Sequence, residues 1–428
     1  MTQQIEDVSS ESWLKKLGPG LITGAADDDP SGIATYSQAG AQFGFNMLWT
    51  VLFTYPLMVG IQVVSARIGR VTGHSLATNI RKHYPAWLLY SIVGLLLIAN
   101  IINIAADVAA MGEALKLLIG GHAHLYAIGF GVTSLVLQIL IPYKRYVRVL
   151  KWLTLALLAY VATAFVVHTP WLLVLKGTLL PHLSWKSEYI TTVVAVFGTT
   201  ISPYLFFWQA SQEVEEMRIH SQEKPLITAP EQAPANFSRI KIDTFIGMGF
   251  SNIVAFFIIL TTAVTLNLHG ITNIQTSAQA AAALRPIAGE FAFVLFSAGI
   301  IGTGLLAIPV LAGSAAYAMS GAFKWKSSLE LEPMAAKQFY SIIAISTLVG
   351  VALCFTPIDP IKALYWSAVI NGVISVPIMA LMMLMAVRPE IMGKFIITFK
   401  LKLLGWICTG VMALAVIAMF WTLSKYTF

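Results

Sequence analysis

Apolar positions in this chain come in long, nearly unbroken runs, with neither the period-two alternation of a half-buried strand nor the stripe of a water-facing helix. Runs long enough to cross a bilayer, about 20 residues each, fall near 17–43, 46–68, 86–115, 122–142, 146–168, 187–212, 240–267, 289–322, 338–356, 361–387 and 402–424. The pattern predicts an all-α membrane protein of eleven transmembrane helices. The longest connections, 213–239 and 268–288, are too short to build a soluble core. The first, rich in Pro, Gln and Glu, reads as a mobile loop. The second contains an Ala-rich stretch at 278–284 that reads as a short helix lying at the outer surface.

Two of the apolar runs are interrupted. In the first, Ala25-Ala26-Asp27-Asp28-Asp29-Pro30-Ser31-Gly32 sets three carboxylates, a proline and a glycine in mid-span. Each aspartate at bilayer depth costs about 2.5–3.5 kcal/mol on insertion scales, so the three are not lipid contacts. Pro30 has no amide proton and biases Asp29 away from helical geometry, and Gly32 relaxes the backbone, so the helix is expected to break here. The sixth run breaks at Gly198-Thr199-Thr200-Ile201-Ser202-Pro203-Tyr204. Each break opens a five-span unit, 17–168 and 187–387, with 402–424 as an added helix. Because five is odd, the second unit enters from the opposite side, and the two are expected to be inverted repeats of one transport domain. Broken helices at matching positions of such halves point to a binding site at the midplane. Free carbonyls beside carboxylates are hard oxygen ligands, which suit a cation.

Composition narrows the classes. The chain of 428 residues is 57% hydrophobic and 11% charged, with mean hydropathy +0.76, where a soluble protein carries about 25% charged residues. The net charge of +7 does not indicate nucleic acid, because the basic residues are sorted by connection. With the N-terminus inside, 21 of the 27 Lys and Arg residues lie on cytoplasmic segments. Only Lys116, Lys176, Lys186, Arg285, Lys362 and Lys425 lie outside. That bias predicts a cytoplasmic N-terminus and an external C-terminus in the plasma (inner) membrane. No small-residue cleavage pattern precedes the aspartates, so no signal peptide is read. Cys354 and Cys408 lie in apolar runs and suggest neither a disulfide nor a thiolate metal site. With no nucleophile–base pair, nucleotide loop or closed metal motif, enzymatic activity and a resident cofactor are not expected.

At its two breaks the chain resembles the Nramp family of divalent-metal transporters (natural resistance-associated macrophage proteins), and the likeness runs from Gly18-Pro19-Gly20 to the tenth span. The resemblance implies the leucine-transporter fold. It places Asp29 at the family's ligand aspartate, Ala26 at a carbonyl ligand one turn earlier, and Thr199 at the carbonyl of the sixth span. The family's Asp-Pro-Gly-Asn becomes Asp29-Pro30-Ser31-Gly32, losing the ligand asparagine, and its Met-Pro-His becomes Ser202-Pro203-Tyr204. The Asp-x-x-Glu relay of the third span becomes Asp107-Val108-Ala109-Ala110, and the ninth span has no arginine. These losses resemble the magnesium-transporting branch of the family.

The physical reading runs the same way, since a thioether selects softer metals and a hydroxyl does not. The expected cargo is therefore Mg²⁺ first, with Mn²⁺ tolerated, carried as substrate by alternating access and without firm proton coupling. Asp29 is the principal candidate ligand, because a purely capping carboxylate is rare in mid-membrane. Ser202 is read as a ligand or as a partner for its own broken backbone. Asp28 and Asp27 cannot both face the point that Asp29 faces; one is expected at the cavity mouth and one paired. Asn371 in the tenth span is a candidate for the oxygen lost at Gly32. Asp107, which shares a helix face with Asn100 and Asn103, is the candidate proton or ion relay. Asn252 is read as helix–helix glue, and Glu213, Glu215 and Glu216 as a solvated face. The partners expected are the metal ion and the lipid bilayer, with one chain sufficient for function. The alternatives are an organic-cation or amino-acid transporter of the same fold and, less well matched to two broken helices, a cation channel.

Overall fold

The structure, a computed structural model, describes residues 23–24, 26–141, 153–220, 222–357 and 359–426. The N-terminal charges, Leu17–Ile22, Ala25 and the basic group at 144–151 lie outside the described residues. Among the described residues every regular element is helical. The principal helices are α1 (Pro30–Phe43), α2 (Leu48–Thr72), α3 (Ala86–Ile119), α4 (Ala123–Leu140), α5 (Leu158–Val166) and α6 (Ser187–Thr200). They continue as α7 (Pro203–Ile219), α8 (Ala233–Thr265), α9 (Ala292–Phe323), α10 (Lys337–Leu353), α11 (Pro360–Ala386) and α12 (Phe399–Tyr426).

Each of the eleven expected segments overlaps one of these helices, except 187–212, which overlaps two, α6 and α7. By length and hydropathy, eight helical stretches among the described residues suffice to cross a membrane. The stretch Pro30–Thr72 joins two of the expected segments across the 3-10 turn Gly44–Met47, and Leu155–Val166 and Lys337–Leu353 are shorter apolar helices. Gly44 enters that turn with φ +59°, a conformation that favours glycine.

Around the first break, α1 packs against α8, α11 and α6, and α3 packs against α9, α4, α11 and α10. Helices that have only lipid around them gain by close backbone approach at small residues. The α6–α11 contact works this way. A Cβ added to Gly198 would strike the Ala368 carbonyl and the Gly372 amide, and one added to Gly372 would lie 2.8 Å from the Val194 carbonyl. Gly198→Val is therefore expected to force α6 from α11 at a cost of about 1–3 kcal/mol, read as a lower thermal midpoint of the detergent-solubilised protein.

One expectation about the connections is corrected. The segment 213–239 is not a mobile loop: α7 runs on to Ile219 and α8 starts at Ala233. Between them Leu226 is fully buried, and the Leu226 and Ile227 amides donate to the Arg70 and Val71 carbonyls at 3.3 and 3.2 Å. In the other connection the short helix is Ser277–Ala282, with Ala280 and Ala281 buried against α9.

Nor is the glutamate group at the end of α7 a solvated face. Glu213 and Glu215 are buried. Glu213 pairs with Arg239 of α8. Glu215 pairs with Arg218 at 3.0 Å and accepts from Ser328 Oγ at 2.6 Å. Beside them Arg70 of α2, itself buried, pairs with Glu223 of the connection. Charges that the chain must keep near the bilayer edge are thus tied to one another across three elements.

Candidate functional site

Thr23, Gly24, Ala26 and Asp27 are helical, the chain bends at Asp28, and α1 begins only at Pro30. Asp29 is the N-cap, with extended backbone (φ −71°, ψ 171°) and Pro30 in the first turn, where a missing amide proton costs nothing. Its Oδ1 accepts from the Gly32 amide at 2.8 Å and from Ser31 Oγ at 2.6 Å, satisfying donors that the helix start leaves over. Asp29 is therefore a cap as well as a candidate ligand. Its second oxygen points elsewhere: Asn103 Nδ2 of α3 approaches Oδ2 at 3.4 Å, and the Tyr204 hydroxyl at 3.5 Å.

The second break lies across from the first. Between the end of α6 at Thr200 and the start of α7 at Pro203, Ser202 Oγ donates to the Thr199 carbonyl at 2.7 Å and lies 2.9 Å from the Gly198 carbonyl. Ser202 thus serves its own broken backbone. Its hydroxyl covers the Thr199 carbonyl that the resemblance offers as a ligand. The Ala26 carbonyl is covered in the same way, by the Tyr204 hydroxyl at 3.2 Å. Tyr36 Oη and Thr200 Oγ1, 3.0 Å apart, tie α1 to α6.

Asp27 and Asp28 are buried, so neither faces a cavity mouth as expected. Both turn to Ser251 on α8, whose Oγ lies 2.6 Å from Asp27 Oδ2 and 3.1 Å from Asp28 Oδ1. One hydroxyl proton cannot serve both carboxylates, and Asp27 Oδ1 has no partner at all. Asp107 is buried one turn after Asn103, with both oxygens unpartnered, and Asn371 is buried with its amide oxygen and nitrogen unpartnered. Such groups are rare in folded proteins and call for an explanation such as an ion or water. Asn100 differs from its neighbours: its amide donates to the Leu311 carbonyl and Ser314 Oγ of α9, both at 2.8 Å, a purely interhelical role. Asn252, read as glue, donates to the Val51 carbonyl at 3.1 Å.

The sequence reading missed Ser251 and Tyr204 as site residues. A serine in an apolar helix carries no pattern. Tyr204 was visible as a bulky hydroxyl directly after the Pro203 break, and that was the available signal. Among the described residues no three His, Cys, Asp or Glu side chains converge into a closed metal-binding group. A cation at the break would be met by Asp29 Oδ2, which the Asn103 amide and Tyr204 phenol approach at 3.4 and 3.5 Å, and by the hydroxyls beside it.

Clefts open at both ends of the bundle. A polar cleft of about 440 Å³ opens between α1, α6 and α11, lined by Gln38, Gln42, Glu188, Thr191, Lys362 and Tyr365. A larger, mainly apolar cleft of about 740 Å³ lies between α3, α4, α10 and α11, with Glu113, His124 and Asp359 on its walls. Beside Glu215 and Arg218 of α7 lie a cavity of about 50 Å³ that also touches Ser75 and Tyr317, and a cleft of about 500 Å³ walled by Trp325, Ser328 and Leu331.

Over residues 20–422 the chain matches the family model described as natural resistance-associated macrophage protein-like. It is 26% identical over 425 residues to the divalent metal cation transporter MntH of Klebsiella pneumoniae (strain 342), covering 96% of this chain and 95% of that one. A solved manganese transporter of Eremococcus coleocola shares the fold with a TM-score of 0.73 at 17% identity, covering 99% of this chain and 90% of that one. A nucleobase-cation-symport-1 family transporter superposes with a TM-score of 0.55 at 14% identity, covering 96% of this chain and 93% of that one. The all-α leucine-transporter fold implied by the resemblance is therefore the fold found.

Proposed function

Since this chain belongs to the Nramp family of membrane transporters, we propose that it carries a hard divalent cation, Mg²⁺ before Mn²⁺, by alternating access around the two breaks. The observation that carries the reading is the Asp29 carboxylate, buried where α1 starts, whose Oδ2 accepts from the Asn103 amide and the Tyr204 phenol at 3.4 and 3.5 Å and has no basic partner. A buried carboxylate oxygen without a basic partner favours a positive guest. The absence of a thioether favours a hard one: a hydroxyl stands at Ser202, and Mg²⁺ takes oxygen ligands while keeping several waters. Asp28 and Asn371 complete the proposed surroundings of the ion, and Asp107 is the proposed relay.

The polar cleft near Glu188 is read as an opening to the outside of a plasma membrane, with the N-terminus cytoplasmic. In this reading the helices around the two breaks, one in each of the units 17–168 and 187–387, rock within a single chain and expose the site first outside and then inside. Purified protein in liposomes is expected to accumulate Mg²⁺ and, more slowly, Mn²⁺. Uptake of neither ion sinks the reading. Ser202→Met restores a soft sulfur and is expected to raise the preference for Cd²⁺ over Mg²⁺ about tenfold, measured by competition uptake. An unchanged ratio means that residue 202 does not face the ion.

A further inference from the structure

We propose that the chain carries a binding site for an anionic phospholipid headgroup, built by Arg81, Tyr84 and Arg388 where α2 and α11 end and α3 and α12 begin. The site stands apart from the two breaks and does not depend on the cargo.

The short helix Leu76–His83 lies between α2 and α3. It buries Leu76, Ala77 and Ile80 and places Arg81, Lys82 and His83 in its last turn, an amphipathic form suited to a membrane surface. One residue on, the Tyr84 ring carries the Arg388 guanidinium, whose Cζ is 4.7 Å from the ring centroid. Arg388 belongs to the connection between α11 and α12, so this cation–π contact ties the two connections together. A second stack holds the same connection: Arg67 of α2 lies over Phe237 at 4.0 Å, and Phe237 meets Phe395 edge-on at 5.7 Å.

Positive charge and donors are in excess here. Residues 67–87 contain no carboxylate and 387–406 contain Glu390 alone, against Arg81, Lys82, Arg388, Lys394, Lys400 and Lys402. The ion pairs at the end of α7 use Arg70, Arg218 and Arg239 instead. Arg81 Nη1 and the Tyr84 hydroxyl are shielded from solvent and have no hydrogen-bond partner, a state that calls for one. A phosphate group supplies anionic oxygens that match a guanidinium fork. The surface around these donors is apolar: Trp87 and Tyr90 near the start of α3 and Phe399 and Leu403 near the start of α12 are all exposed. Aromatic rings at span ends mark headgroup depth. A ligand seated there has its charge on the arginines and acyl chains beside it, which favours a lipid over a free phosphate. With the N-terminus inside, this is the cytoplasmic leaflet, whose anionic lipids attract basic segments.

The test uses the full chain in bilayer discs of equal parts phosphatidylglycerol and phosphatidylcholine, and native mass spectrometry counts the lipids retained on release into detergent. The parent is expected to retain phosphatidylglycerol in preference. Arg81→Gln/Arg388→Gln is expected to lower that preference about 30-fold, at roughly fivefold per charge. Lys326→Gln/Lys337→Gln, which removes two charges between α9 and α10, is expected to leave it unchanged. An equal loss in both double variants shows a general response to surface charge and overturns the inference. A parent without preference overturns it, as does an unchanged preference in the arginine variant. Release of the lipid by millimolar glycerol phosphate assigns the donors to a free phosphate and overturns it too. Should the arginine variant not fold, Tyr84→Phe keeps the ring under Arg388 and removes only the hydroxyl. It is expected to lower the preference about threefold, and no change in that variant overturns the site.

Discussion

Asp29→Asn is expected to lower divalent-cation uptake about 100-fold while leaving the protein folded. Asparagine ranks with aspartate as an N-cap, so its amide oxygen can still accept from the Gly32 amide and Ser31 Oγ, the bonds that start α1. The second oxygen becomes an NH₂, so the negative charge is lost together with the acceptor that meets the Asn103 amide and the Tyr204 phenol. Asp29→Ala removes the cap as well and is expected to cost a further 0.5–2 kcal/mol of stability, on the order of other cap deletions. Comparing thermal midpoints and liposome uptake of the two variants separates the capping role from the binding role. If Asp29→Asn transports as fast as the parent, the carboxylate is a cap and nothing else.

The second large effect is expected at the ion-paired end of α7. Glu213 is fully buried and joined to Arg239, whose side chain is only 22% exposed. Glu213→Ala leaves the guanidinium half-sheltered without its carboxylate, which for buried pairs costs about 3–5 kcal/mol. Denaturation of Glu213→Ala, Arg239→Ala and the double variant measures the coupling directly. The double variant is expected to be more stable than the sum of the single losses implies, because no unpaired charge remains. A Glu213→Ala protein within about 0.5 kcal/mol of the parent, the range of an ordinary surface change, would show that the pair holds nothing shut. Because Arg239 opens α8 and Glu213 lies in the last turns of α7, the same substitution is expected to make the 220–232 connection more open to protease.

Backbone chemistry made the breaks legible. Pro30 and Pro203 each forbid a hydrogen bond that a helix needs, and small polar residues beside them mark where the ends are satisfied, so both interruptions fall where the sequence reading placed them. The burial of Asp29, Asp107 and Asn371 was equally readable, since polar groups in long apolar runs have to turn inward. Pairing across sequence was not readable. Ser251 meets Asp27 and Asp28 from more than 200 positions away, and nothing local distinguishes it from a serine that bonds its own helix. Glu213 and Glu215 looked solvated because glutamates at a span end normally are. The arginine and serine that bury them, Arg239 and Ser328, belong to other elements. Side-chain competition was also invisible: the carbonyls of Ala26 and Thr199 were read as free, and only the folded chain shows Tyr204 and Ser202 seated on them.

The division of labour within Asp29 has a mechanical corollary. One oxygen is fastened to the first turn of α1 and the other is held only by the longer contacts to the Asn103 amide and the Tyr204 phenol, so the carboxylate acts as a short rigid crank. Whatever tugs on the loose oxygen must drag the fastened one, and the helix with it. Arrival or departure of a charge at this point is then transmitted to α1 as a whole-body tilt, with no need for the helix to unwind.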